Sequence, residues 1–188
     1  MPQQDFLNGH FLIAMPGLGD PNFHHAVTLI CEHNADGALG ITINRPMDDI
    51  HLGDVLDQLE LGDSDETLRA TTLFHGGPVE QERGFVLHTP LGKWEATLSI
   101  SEQLGVTSSR DILAAMIRGE GPEQCMVALG YAGWAAGQLE QEMADNAWLS
   151  TPASHNILFD VPPSERWRAA ARTMGVDISR LSDQSGHA

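Results

Sequence analysis

The chain has 188 residues, 41% hydrophobic and 19% charged, which suits one well-buried domain and argues against disorder. Twenty-six acidic residues face ten basic ones, Lys93 being the single lysine, for a net charge of −16. DNA binding depends on Lys and Arg displacing condensed counterions, so this balance argues against direct nucleic-acid binding.

In chain order, "GHFLIAM" (9–15), "AVTLICE" (26–32) and "ALGITIN" (38–44) read as strands, short and rich in β-branched or aromatic residues. A surface loop, "PGLGDPNF", joins the first two, and the Asp36-Gly37 pair suits a hairpin turn between the second and third. In "DDIHLGDVLDQLEL", Leu52, Val55, Leu56 and Leu59 share one helical face, with Asp48 or Asp49 as the cap. The acidic "GDSDET" is the least ordered-looking part of the middle. "TTLFH" (71–75), "GFVLH" (84–88) and "WEATLSI" (94–100) return to strand character, with "GGPVEQERG" connecting the first two.

"TSSRDILAAMIRG" predicts a helix, with Ser108 and Asp111 in capping-box-like spacing and an apolar face of Ile112, Leu113, Met116 and Ile117. Next, "CMVALGY" reads as a strand that turns through Gly130, Gly133 and Gly137 into a helix whose buried stripe is Ala136, Leu139, Met143 and Ala147. After a short "NILFD", Pro162-Pro163 starts a last helix through "SERWRAAARTM", stopped by Gly175. The tail near 182–188 looks loosely held. With no repeat, low-complexity tract or linker, residues 1–188 read as a single α+β domain.

No motif points to a reaction. "FLIAM" is far too short to span a bilayer and lacks the basic flank of a secretory signal, so a cytoplasmic protein is expected. Cys31 and Cys125 read as reduced, buried strand thiols rather than a disulfide or redox pair. Among nine histidines, His24 and His25 are adjacent and, on a strand, would face opposite ways. His75 and His88 end strands that, paired as a hairpin, would bring both rings towards Glu80 or Glu82; ordinary strand-end histidines are the favoured reading. No metal site, cofactor or catalytic set is therefore assigned. Arg166, Arg168 and Arg172 with Trp167 read as one solvated helix face. The glycines 130, 133 and 137 match neither the dinucleotide fingerprint nor the P-loop, and Glu140 and Glu142 near the helix start would oppose an anion.

"HFLIAMPGLGDPNF", "LICEHNADGALGITINRP", "GGPVEQERGFVLHT", "LGYAGWAAGQLEQEMADNAWL" and the closing "GHA" closely resemble the bacterial YqgE/AlgH family, from about His10 to Ala188. The resemblance implies an α+β fold with a mixed, bifurcated sheet folded into a pseudo-barrel and flanking helices. It carries over no catalytic residue or cofactor. "FHHAV" departs from the pattern, since basic or small polar residues are expected around His24 and His25. Members are often labelled transcriptional regulators; with this charge, any such role is expected to be indirect, through a protein or small-molecule partner.

Two functional readings follow. The first is a non-enzymatic interaction protein. The second is a small-molecule or nucleotide binder, with an enzyme among its forms, whose site collects Asn44, Arg45 and Pro46, then Gly76, Gly77 and Pro78, and the turn from Gly130 through Gly133 to Trp134. Arg45 follows an apolar strand, and a ligand role and a structural ion pair both fit it. Whether these segments share one concave pocket separates the readings.

Overall fold

The computed structural model describes residues 6–181. The tail expected to be loosely held, 182–188, lies outside the described residues. The fold is α+β: a curled, largely antiparallel sheet forming a half-barrel, with seven helices among the described residues. The sheet runs in the order β10-β1-β2-β3-β9-β6-β8-β7, with β4 and β5 off this path. Its strands are β1 (His10–Ala14), β2 (Val27–Asn34), β3 (Gly37–Thr42), β4 (Pro46–His51), β5 (Thr72–His75), β6 (Val79–Thr89), β7 (Thr97–Ser99), β8 (Gly105–Thr107), β9 (Gln124–Ala135) and β10 (Trp148–Pro152). The helices are α1 (Leu52–Gln58), α2 (Glu66–Arg69), α3 (Arg110–Ile117), α4 (Gln138–Ala144), α5 (His155–Phe159), α6 (Arg166–Arg172) and α7 (Ile178–Leu181).

The bifurcation lies in β9. One edge pairs antiparallel with β6. The other pairs first with β5, in parallel, at residues 127–129, and then antiparallel with β3 at 132–135. Gly130 stands between these two pairings with φ +80°, a left-handed conformation costly for any residue with a Cβ. It acts as a β-bulge that shifts the alternation of faces by one residue. Before it, Met126 and Ala128 face the central core; after it, Tyr131 packs against that core while Ala132 and Trp134 face away. The segment is therefore not the turn that the glycines suggest. The turn comes later, at Gly137 (φ +77°), the residue before α4.

Gly76 and Gly77 cross this bulge at backbone contact. A Cβ on Gly76 would sit 2.2 Å from the Gly130 carbonyl oxygen, and one on Gly77 2.1 Å from the Tyr131 carbonyl carbon. The Gly76 N–H donates to the Leu129 carbonyl at 2.8 Å, and its carbonyl accepts from the Thr42 N–H at 2.8 Å. Three strands are thereby tied at one point.

Three apolar clusters surround the sheet. The central one packs Phe11, Ile13, Leu29, Ile41, Leu87 and Met126 under α5, α6 and α7, with Leu158, Trp167, Ala170 and Ile178 as the helical contribution. A second joins Trp134 and Trp148 to Leu139 of α4. A third places Val86 and Val127, on the opposite face of β6 and β9, against Leu52 and Leu56 of α1 and Ile112 of α3.

Several local expectations change. Pro46–His51 is extended because it pairs with β5, so Asp48 and Asp49 cap nothing and α1 starts at Leu52, where Asp54 accepts from the His51 N–H at 2.9 Å. The acidic segment holds α2, capped by Asp65 at 2.7 Å and tied to α1 through Arg69 and Asp57 at 2.6 Å. Much of "GGPVEQERG" is strand β6, and β8 and β10 are further strands. The residue before α3 is Ser109, whose hydroxyl bonds Asp111 at 2.5 Å. "NILFD" is helical in α5.

Gly130→Ala is expected to cost about 3 kcal/mol or more, since it adds left-handed strain to a Cβ 2.5 Å from the Gly77 carbonyl oxygen. Gly133→Ala, whose Cβ would meet only the Tyr131 ring at 3.7 Å, is expected to stay within about 0.5 kcal/mol. Urea titrations of the two variants check the contrast.

Candidate functional site

Asn44 and Arg45 leave the end of β3 and turn back to the loop between β1 and β2. Asn44 Oδ1 accepts from the Val27 N–H at 3.0 Å, and its Nδ2 donates to the His25 carbonyl at 2.9 Å. The Arg45 guanidinium donates to the carbonyls of Pro21 (3.2 Å), Asn22 (2.5 Å) and His24 (2.7 Å). Burial lowers its pKa, and Asp20 pulls in the opposite direction. Arg45 thus makes neither an ion pair nor an open ligand fork. It clamps a loop through three carbonyls, which suits its rigid planar donor set.

The clamp leaves a small polar cavity, about 150 Å³, lined by Asn22, Thr42, Arg45, His75, Gly77, Pro78 and Gln81. Arg45, Gly77 and Pro78 are therefore brought together, with Gly76 and Gly130 in the crossing beneath them. Gly133 and Trp134 are not. Gly133 pairs with Leu39 of β3, and Trp134 is buried between Phe23 and Trp148 at ring distances of 6.1 and 6.2 Å. Glu142 takes the indole N–H of both Trp134 (3.2 Å) and Trp148 (3.0 Å), while Glu140 bonds His33 at 2.5 Å. These acids hold the packing of α4 rather than screening a helix terminus.

Gln81 also opens onto a much larger cleft, about 700 Å³, which the sequence did not indicate. Its floor is Gly84 and Val86 of β6 with Val127 and Leu129 of β9. Met47 and Ile50 of β4 and Val55 of α1 form one wall, and Leu113 of α3 the other. Asp54, Gln58, Glu82 and Arg110 supply a polar rim. The one sequence signal was the amphipathy of α1 and α3, whose Val55 and Leu113 remain half-buried.

The groups that carry chemistry elsewhere are engaged in structure. His75 and His88 do not face each other, because β9 lies between their strands. His88 is fully buried, with Nδ1–H donating to the Pro90 carbonyl at 2.9 Å and Nε2 accepting from the Thr107 hydroxyl at 2.7 Å. His24 and His25 sit in a turn, not on a strand, and their rings stack at 3.9 Å, with His25 on Trp167 at 3.8 Å. Burial raises both thiols, Cys31 most of all, which keeps them protonated and poorly nucleophilic. Among the described residues no group of three or more His, Cys, Asp or Glu is placed to hold a metal, and no helix is long and apolar enough to cross a membrane.

A model of the AlgH-like family matches residues 11–179. A UPF0301 protein of Thioalkalivibrio sulfidiphilus is 59% identical over 178 residues, 95% of each chain, and one of Nitrosococcus oceani is 55% identical over 183 residues, 97% of each. The solution structure of the AlgH protein from Pseudomonas aeruginosa superposes with a TM-score of 0.81 at 48% identity, covering all of both chains. A crystal structure from Corynebacterium diphtheriae shares the fold, with a TM-score of 0.73 at 21% identity over 97% of this chain and 94% of that one. The chain belongs to the AlgH-like family.

Burial pushes the His88 pKa below the ordinary histidine value, against a smaller upward pull from the Pro90 carbonyl. The unfolded chain therefore takes up this proton first, and the His88 contribution to stability is lost as pH falls below about 6.5. His88→Gln is expected to be less stable at neutral pH and to show a shallower loss on acidification. Urea midpoints across a pH series measure both effects.

Proposed function

We propose that this member of the AlgH-like family is a non-enzymatic interaction protein of the bacterial cytoplasm, and that it receives an apolar segment of a protein partner in the groove between α1 and α3. The groove supports this reading: an apolar floor inside a polar rim is the anatomy of a protein interface, and facing walls of this kind accept an amphipathic helix. Asp54 and Glu82 on the rim, within a chain of net charge −16, favour a partner with Lys or Arg flanking its apolar anchors. The commitment of Asn44, Arg45, His88 and Cys31 to structural contacts supports the non-enzymatic part. Two free thiols accord with a reducing cytoplasm. Any influence on transcription runs through the partner, because the charge opposes DNA.

The second reading, a small-molecule binder, draws on the same cleft. Its volume lies within the roughly 300–1,000 Å³ of ligand pockets. The adjoining cavity with His75 and Gln81 offers polar groups to orient one end of a ligand.

Gly84→Leu tests both. A Cβ at Gly84 meets only Leu129 Cδ2 at 3.8 Å, so the variant is expected to fold, with Tm within about 2 °C of the parent, and to fill the groove. A partner captured by the parent protein and lost by Gly84→Leu supports the interaction reading; equal capture by both sinks the groove as its site. A nucleotide or metabolite that raises Tm only in the parent protein favours the second reading. Tight, sequence-selective retardation of DNA at low salt would overturn the indirect route.

A further inference from the structure

Ten Lys and Arg residues sit among twenty-six acids, and four of the arginines find a carboxylate. Arg69, Arg83, Arg118 and Arg180 do so, and Arg45 and Arg166 are engaged by carbonyl groups. Of the other four, Lys93, Arg110, Arg168 and Arg172, only Arg168 and Arg172 line one cavity together. They stand one turn apart on the exposed side of α6, with no carboxylate within ion-pair distance among the described residues. Like charges at this spacing destabilise a helix, and acids to relieve them are plentiful in this chain.

Both line a cavity of about 470 Å³ between α6 and residues 175–179. Among the described residues the one carboxylate in that lining is Asp177, which accepts from the Ser179 hydroxyl at 2.5 Å and pairs with Arg180 at 3.4 Å, so that Arg172 acts on it only as a more distant charge. On the other side of Arg168 lies the ring ladder of His24, His25 and Trp167. The His25 imidazole is held below the ordinary range by burial first, then by His24 and by the nearby charge of Arg168. Arg45 and Asn44 hold this loop to the segment after β3 through the carbonyls of His24 and His25, and the stack of His25 on Trp167 sets it against α6.

We propose that Arg168 and Arg172 form a binding site for a small phosphate-bearing molecule, seated in the cavity between α6 and residues 175–179. Two guanidinium forks match a dianionic phosphate, which has oxygens enough for both, better than a single carboxylate. The cavity has the volume of a small-ligand site rather than of a nucleic-acid track, and the overall charge repels a polyanion. This site is separate from the groove and does not rest on the interaction reading.

Thermal unfolding and isothermal titration with inorganic phosphate, glycerol phosphate and AMP, each to about 10 mM, test the site on the full chain. Saturable binding is expected, weakened about tenfold by Arg168→Gln or Arg172→Gln and unchanged by Arg118→Gln. Asp177→Asn is expected to tighten it. An equal response to all three probes identifies the phosphate group alone as the ligand feature. A larger response to AMP adds recognition of the nucleoside, and a larger response to glycerol phosphate favours a compact ester. Each of these supports the site. No binding by any probe, or binding unchanged in Arg168→Gln/Arg172→Gln with the fold intact by circular dichroism, overturns it.

Discussion

The structure depends on a crossing at which no side chain fits. Gly76 and Gly77 approach Gly130 and Tyr131 closely enough that a Cβ on either glycine would overlap backbone atoms. Because Gly130 takes a left-handed conformation there, β9 can leave β5 and take up β3 along the same edge. One strand then serves both halves of the sheet, and the alternation of its side chains resets between the central core and the outer clusters. A net hydrogen bond contributes about 1 kcal/mol, whereas a buried Leu or Ile contributes about 1.5–3 kcal/mol. The crossing therefore matters less for its own bonds than for the three clusters it allows to form.

Two arginines secure what the crossing leaves open, and neither uses a carboxylate. Arg45 holds the loop after β1 by three carbonyls. Arg166, 5% exposed, donates to the carbonyls of Val161 and Ile43 and lies over the Phe74 ring at 5.2 Å. Burial brings its pKa down to about 10, still charged at neutral pH. Guanidinium tolerates such sites because its charge is spread and weakly hydrated, which a lysine could not match. Arg166 and Trp167 are thus core residues, and only Arg168 and Arg172 remain of the expected solvated face.

Elements carrying their own apolar signal were legible in the sequence. β1, β2, β3 and β5 announce themselves through β-branched runs, α3 through its stripe, and α6 through Pro163 before it and Gly175 after it. Elements held by partners were not. Pro46–His51 contains two acids and is a strand only because β5 offers an edge, while β8 has three residues and too short a pattern to read. Gly130 as a bulge and Gly130 as a turn look identical in sequence. Of the expected site, Arg45, Gly77 and Pro78 do share a cavity, but the role of Arg45 depended on carbonyls more than twenty residues away. The groove draws on β4, α1, β6, α3 and β9, so no single stretch could reveal it.

The same alternation that builds the core also separates the groove from the Arg168–Arg172 cavity. In β9, Val127 and Leu129 face the groove, while Met126 and Ala128 face the core that α6 closes. The groove and the Arg168–Arg172 cavity therefore lie on opposite faces of one sheet. A close-packed sheet with buried side chains on both faces deforms little, and distant sites without shared partners behave additively. Coupling between them would require an element with two arrangements. The loop held by Arg45 reaches both regions: Asn22 lines the small cavity next to the groove, and His25 stacks on Trp167 beside Arg168. Since Arg45 and Asn44 pin that loop through four carbonyls, the loop is held in one arrangement and does not supply such an element.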